Sequence, residues 1–110
     1  MKYIDTHAHL NLPAFTEDLS IVVSRCVDDE VAVINVGTRE MTSTRAVELA
    51  LEHEETYAII GLHPISTVPN IDEEDDGRGG TPKSKEGEVF NQDFYRGLIV
   101  KGKGKVVGIG

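Results

Sequence analysis

The 110-residue sequence predicts an α/β fold of parallel β/α units, forming roughly the first half of a TIM (β/α)8 barrel. Three observations lead there. Short runs rich in β-branched residues alternate with longer amphipathic stretches, in the order β-α-β-α-β-loop-α-β. Alternation of that kind builds a parallel sheet through right-handed crossovers. A whole barrel takes about 250 residues, so this length suffices for half of one. The same elements suit a small doubly wound sheet, and the order of strands decides between the two. No internal repeat and no linker divides the chain. Residues 1–110 therefore read as a single partial domain, with an acidic, Gly/Pro-containing loop at about 69–88.

Tyr3 to Leu10 opens the chain as a strand, with Asp5, His7 and His9 alternating against Ile4, Ala8 and Leu10. Thr16 suits an N-cap, and Glu17 and Asp18 suit the positive end of the helix that follows. Leu19, Val22, Val23 and Cys26 recur at helical spacing, extending that helix to about Asp29. Val31 to Val36 is mostly β-branched and stops at Gly37, the pattern of a strand covered on both faces. A second helix runs from about Met41 to Glu54, with Ala46, Leu49, Ala50 and His53 on one stripe. Tyr57 to Leu62 is the third strand, broken at His63-Pro64. From Pro69 to Glu88 the acidic run Asp72–Asp76 and the residues Gly77, Gly79, Gly80 and Pro82 have loop chemistry. A third helix spans about Asn91 to Val100. The turn Lys101 to Gly104 then leads into a last strand, Lys105 to Gly110.

Composition narrows the function. The hydrophobic share is 39%, the charged share 27%, and there is no tryptophan. No run approaches the ~20 apolar residues of a membrane helix, and the N-terminus lacks the apolar core of a secretory signal. No membrane partner and a cytoplasmic location are therefore expected. The single cysteine, Cys26, agrees with a reducing compartment and reads as a small packed thiol. A net charge of −8 argues against a protein that coats nucleic acid. Hydrolysis of a phosphodiester survives that argument, because bound cations can dominate the local field.

Asp5-Thr6-His7-Ala8-His9 is the sharpest motif. Strand alternation puts the three charged or imidazole groups on one face, where two neutral imidazoles can grip a divalent cation and a carboxylate can orient a ring. Two half-exposed strand-end histidines fit the bare His-x-His equally well. Its place at the C-terminal end of the first strand favours ligation, because α/β folds put their sites there. Gly61-Leu62-His63-Pro64 ends the third strand in the same layer, so His63 is expected at the same mouth. His53 lies far from the strand ends and reads as structural. The run Asp72–Asp76 lacks the spacing of a calcium loop, and Lys101, Lys103 and Lys105 lack a P-loop pattern.

In order and spacing these motifs resemble the TatD family of metal-dependent hydrolases, in the amidohydrolase-like (β/α)8 group. Asp5 to Leu10 matches its opening Asp-x-His-x-His-Leu strand, and Gly61 to Pro64 its Gly-x-His-Pro. Gly108-Ile109-Gly110 matches the start of its Gly-x-Gly-Glu run, whose glutamate would come next. The resemblance implies that His7 and His9 are metal ligands and that Asp5 is a partner fixing the first-strand geometry. It implies that His63 lines the pocket near the scissile phosphate as a catalytic residue. The cofactors implied are divalent ions (Mg2+, Mn2+ or Zn2+), two in the complete enzyme, and the activity is that of a deoxyribonuclease on DNA phosphodiesters. The later ligands lie outside these residues, so the chain alone is expected to bind metal weakly and to turn over little substrate. The alternatives are a PHP-type metallophosphoesterase, or a non-catalytic α/β fragment that self-associates through the exposed sheet edge at Val106 to Ile109.

Overall fold

The computed structural model describes residues 1–71 and 84–110. Four parallel strands form one sheet: β1 (Tyr3–Ala8), β2 (Val31–Val36), β3 (Thr56–Ile60) and, closing the chain, β6 (Val106–Ile109). Their spatial order is β1-β2-β3-β6. Strands that neighbour one another in sequence order, joined by crossovers of one hand, put every helix on the same face. That is the winding of a barrel and excludes the doubly wound alternative, whose strand order reverses at a switch point. The three helices are α1 (Leu19–Asp28), α2 (Glu40–Glu52) and α3 (Gln92–Lys101).

The expected elements are found with ends moved by a few residues. Leu19, Val22, Val23 and Cys26 form the half-buried stripe of α1. Thr16, however, is no cap for that helix. A single 3-10 turn over Pro13–Phe15 comes first, and the Thr16 N–H donates to the Pro13 carbonyl at 3.0 Å. Proline presets φ for that turn, so the chain coils three residues earlier than the acidic pair suggested. Asp18 is the N-cap, and its side chain makes no cap bond. In α3 the cap is conventional, with Asn91 Oδ1 accepting from the Phe94 N–H at 3.1 Å. Within the expected loop, β4 (Asn70–Ile71) pairs antiparallel with β5 (Ser84–Lys85). The acidic run Asp72–Asp76 and the residues Gly77, Gly79, Gly80 and Pro82 lie outside the described residues.

The core lies between the sheet and α2 and α3. Ala46, Val47 and Ala50 of α2 pack on Ala58 and Ile60 of β3, with Tyr95 and Leu98 of α3 closing the layer. Leu62, Phe94 and Val106 border it. Alanines on both sides bring helix and strand close enough for polar contact. Ser43, fully buried in α2, takes the Gly61 N–H and donates to the Gly61 carbonyl, both at 3.2 Å. The Tyr95 hydroxyl donates to the same carbonyl at 3.2 Å. A Cβ at Gly61 would fall on the Gly110 carbonyl, so glycine is required where β3 and β6 end. One at Gly37 would overlap the Ser43 backbone in the same way.

Burial, reinforced by the carboxylates of Glu88 and Glu40, pushes the Tyr95 phenol up to about 12. A raised folded-state value means that the folded chain keeps this proton after the unfolded chain has lost it. Stability from this group is therefore complete below about pH 10 and declines as pH rises through about 12. Ultraviolet titration should show one phenol ionising in that range and missing from Tyr95→Phe. The substitution should also cost about 1 kcal/mol in denaturant unfolding through the lost hydrogen bond.

Candidate metal centre

The carboxyl ends of β1, β2 and β3 converge where the sequence placed its motifs. Along β1 the pairing shifts register: Asp5 lies opposite Val33, but Ala8 lies opposite Asn35. Three residues of β1 thus span two of β2, and simple alternation fails between Asp5 and the histidines. The Asp5 carboxylate accepts the backbone N–H of His7 at 3.1 Å. It fixes the strand's turn through the main chain. His7 and His9 do come together, with ring centroids 5.1 Å apart and planes at 79°.

The state of the His9 ring follows from its partner. Nδ1 lies 3.0 Å from the Val36 carbonyl oxygen, which can only accept, so Nδ1 carries the proton. In the neutral ring Nε2 then keeps its lone pair, the form a metal requires, and the ring is held by a backbone carbonyl in the manner of many metal-ligating histidines. The buried Asn35 side chain helps by accepting the Leu10 N–H at 2.9 Å. Asn11 helps by donating to the carbonyls of Val36 and Thr42 at 3.2 and 2.9 Å. This donor set fits one divalent cation in part, supplying two imidazoles. Among the described residues no group of three or more His, Cys, Asp or Glu side chains converges on a cation position.

His63 has the opposite form. It caps a second 3-10 turn, Pro64–Thr67, and its Nδ1 accepts the Ile65 N–H at 3.1 Å. A neutral ring must then carry its proton on Nε2 and present a donor. The main chain of His63 is tied to the end of β2, its N–H donating to the Thr38 carbonyl at 2.8 Å.

Beneath this turn lies a residue the sequence did not single out. Arg39, 2% exposed, donates to Ser66 Oγ at 3.3 Å and faces Glu88 Oε2 at 3.7 Å. Glu88 Oε1 in turn accepts the Glu40 N–H at the start of α2. One buried guanidinium therefore joins the His63 turn, the first turn of α2 and the segment before α3. A buried arginine gives no periodic signal, whereas Asn35, polar within an apolar strand, was such a signal.

The remaining candidates fall elsewhere. His53 caps the far end of α2, 3.9 Å from Glu52, and its carbonyl accepts Lys105 Nζ. Lys105 also lies over the Tyr57 ring, and Lys103 and Gly104 have the positive φ of a tight turn. The Cys26 thiol is pushed up by burial and by the charges of Asp29 and Asp5, so it is a poor nucleophile.

Sequentially ordered parallel strands with a His-x-His pair at their carboxyl mouth define a chain of the β/α-barrel hydrolase type. The TatD related DNase family model matches residues 4–110, and the chain belongs to that family. It is 40% identical over 71 residues to YabD of Bacillus subtilis, an uncharacterized metal-dependent hydrolase, covering 64% of this chain and 28% of that protein. It is 34% identical over 64 residues to YjjV of Escherichia coli, likewise an uncharacterized metal-dependent hydrolase, covering 57% and 25%. The match thus spans about a quarter of each relative's length.

Arg39→Met should cost about 2 to 3 kcal/mol in denaturant unfolding, because it strands Ser66 and Glu88. Glu88→Gln, which keeps an acceptor for the Glu40 N–H, should cost less. No loss in Glu88→Gln would mean that the guanidinium gains nothing from the charge of the carboxylate.

Proposed function

We propose that this chain forms the first-strand part of a metal-dependent hydrolase acting on phosphodiester bonds of DNA. The observation that carries this reading is the pair of opposite histidine forms at one sheet mouth. In it, His7 and His9 hold a divalent cation, and in the complete enzyme two such ions share the mouth with ligands beyond these. Imidazoles favour Zn2+, while added carboxylates would accommodate Mg2+ or Mn2+. When bound, the ion supplies Lewis-acid polarisation of the phosphodiester and activation of the attacking water.

The chain's own residues do the rest. His9 is held by the Val36 carbonyl, so its lone pair is oriented before a cation arrives. His63 donates from Nε2 to a non-bridging phosphate oxygen and offsets the charge that grows as water attacks phosphorus. Asp5 keeps the strand end in shape through the His7 N–H. The family match over residues 4–110 supports this reading, and the names of the relatives support dependence on a metal. A cytoplasmic location belongs to the same proposal and rests on the lone free Cys26. Among the described residues no helix is long and apolar enough to cross a membrane.

With two imidazoles and no third ligand converging among the described residues, the 110-residue polypeptide should bind Zn2+ weakly. It should cleave single-stranded DNA negligibly. Calorimetric titration should show binding by the wild type and none by His7→Ala/His9→Ala. Binding retained in the double variant would sink the assignment of the ligands. DNA cleavage at the rate of a full-length relative, abolished by the same double variant, would show that the polypeptide completes its own site.

A second expectation concerns the sheet edges. β1 and β6 are outer strands, and Tyr3, Ile4, Val107 and Ile109 are 65%, 48%, 51% and 61% exposed. Unpaired edges bearing apolar side chains favour pairing with a second copy. Light scattering at high micromolar concentration should show dimers or larger species. A clean monomer there would count against this.

A further inference from the structure

We infer that Asn11 is the positioning residue that locks His9 in its metal-ready form. The inference rests on the reading of His9 as a ligand. Asn11 is 5% exposed, and both carbonyls it faces, Val36 and Thr42, are acceptors only. Its amide must therefore turn NH2 toward them, because the flipped orientation would set three oxygens against one another.

The Val36 carbonyl is the same oxygen that takes the His9 Nδ1 proton. Asn11 thus fixes the group that fixes the ring. Its second bond, to Thr42, anchors that carbonyl to the first turn of α2. Thr42 is itself pinned there, its hydroxyl accepting the N–H groups of Thr38 and Arg39 at 2.8 and 3.1 Å. The path from α2 to the imidazole is therefore a chain of directed hydrogen bonds: Thr42 carbonyl, Asn11 amide, Val36 carbonyl, His9 Nδ1–H.

Without Asn11, the Val36 carbonyl keeps one donor but loses the contact that holds it in line. The His9 ring is then free to move its proton to Nε2, the nitrogen a cation would take. The Asn11 Oδ1 atom has no hydrogen-bond partner in its buried place. An orphan acceptor there costs stability. Its retention is understandable if the two donors on the same amide are what the site requires.

The experiment reads tautomers directly in the metal-free 110-residue chain. Long-range 1H–15N spectra above the imidazole titration range distinguish Nδ1–H from Nε2–H for each histidine. The wild type should show His9 as Nδ1–H and His63 as Nε2–H. Asn11→Leu, close in size but without donors, should give His9 a mixed or reversed tautomer and leave His63 unchanged. Asn11→Gln, which keeps the donors on a longer arm, should restore part of the wild-type pattern. Zn2+ titration followed at the His9 signals should show affinity about tenfold weaker in Asn11→Leu.

Should Asn11→Leu fail to fold, Asn11→Ala and Asn11→Val, equally without donors, carry the same test. His9 remaining wholly Nδ1–H in any folded donor-free variant would overturn the inference. A shifted tautomer with Zn2+ affinity unchanged would overturn it as well, since the lock would then serve no metal. If His9→Ala binds Zn2+ as the wild type does, the ligand assignment fails, while the tautomer spectra still report whether Asn11 sets the ring.

Discussion

A backbone carbonyl at the end of β2 organises the mouth of this sheet. Buried main-chain oxygens must be paired, and at a strand end the ladder no longer supplies the donor. The Val36 oxygen is paired instead by two side chains from the β1 tail, His9 and Asn11. One residue earlier, the Asn35 side chain takes the Leu10 N–H from the same tail. The tail after β1 is thus sewn to β2 by side-chain bonds where the strands stop pairing. A chemical state follows from this structural need: a carbonyl that can only accept obliges the imidazole to be protonated toward it.

The third strand ends by a different solution to the same problem. The N–H and carbonyl of Gly61 are satisfied by Ser43 and Tyr95 from the helical layer. That works because Ala46, Ala50 and Ala58 leave room for α2 to sit against the sheet. Small residues in the core therefore place a hydroxyl on a strand end, and the strand end places His63. The close approach is also why glycine stands at position 61, since any Cβ there meets Gly110. Packing, polar satisfaction and the placing of His63 at the strand mouth are one arrangement here.

Much of this was legible in the sequence, for reasons that differ by element. Val31–Val36 and the stripe Ala46, Leu49, Ala50 declare themselves by period and branching, which are local properties. His-x-His at a strand end is readable because parallel sheets put their chemistry there. The bond from Asp5 to the His7 main chain is not legible in the sequence, because a register shift is a tertiary event. The strand appears regular, and only its partner shows three residues spanning two. Thr16 was misjudged because Pro13 starts a 3-10 turn that competes for the same stretch. Arg39 left no trace, since its burial depends on Ser66 and Glu88, far along the chain. Periodicity reports faces, and it is silent about bonds between segments whose separation is set by the fold.

Charge poses the last problem, because on the proposed reading a net −8 chain would have to bind a polyanionic substrate. Long-range attraction cannot supply affinity, so binding must come from short-range terms inside the mouth. The structure concentrates those terms. Arg39 is turned inward toward Glu88, which withdraws its charge from the surface. Lys105 is spent at the opposite rim, on the His53 and Glu54 carbonyls. What remains at the carboxyl ends are the imidazoles of His7, His9 and His63, with His9 Nδ1 turned to a carbonyl and His63 Nδ1 accepting a main-chain N–H. On the proposed reading, a site so poor in fixed positive charge would depend on bound cations for attraction. Recognition of a phosphate would then be conditional on metal, and the same acidic surface would discourage binding of nucleic acid anywhere else.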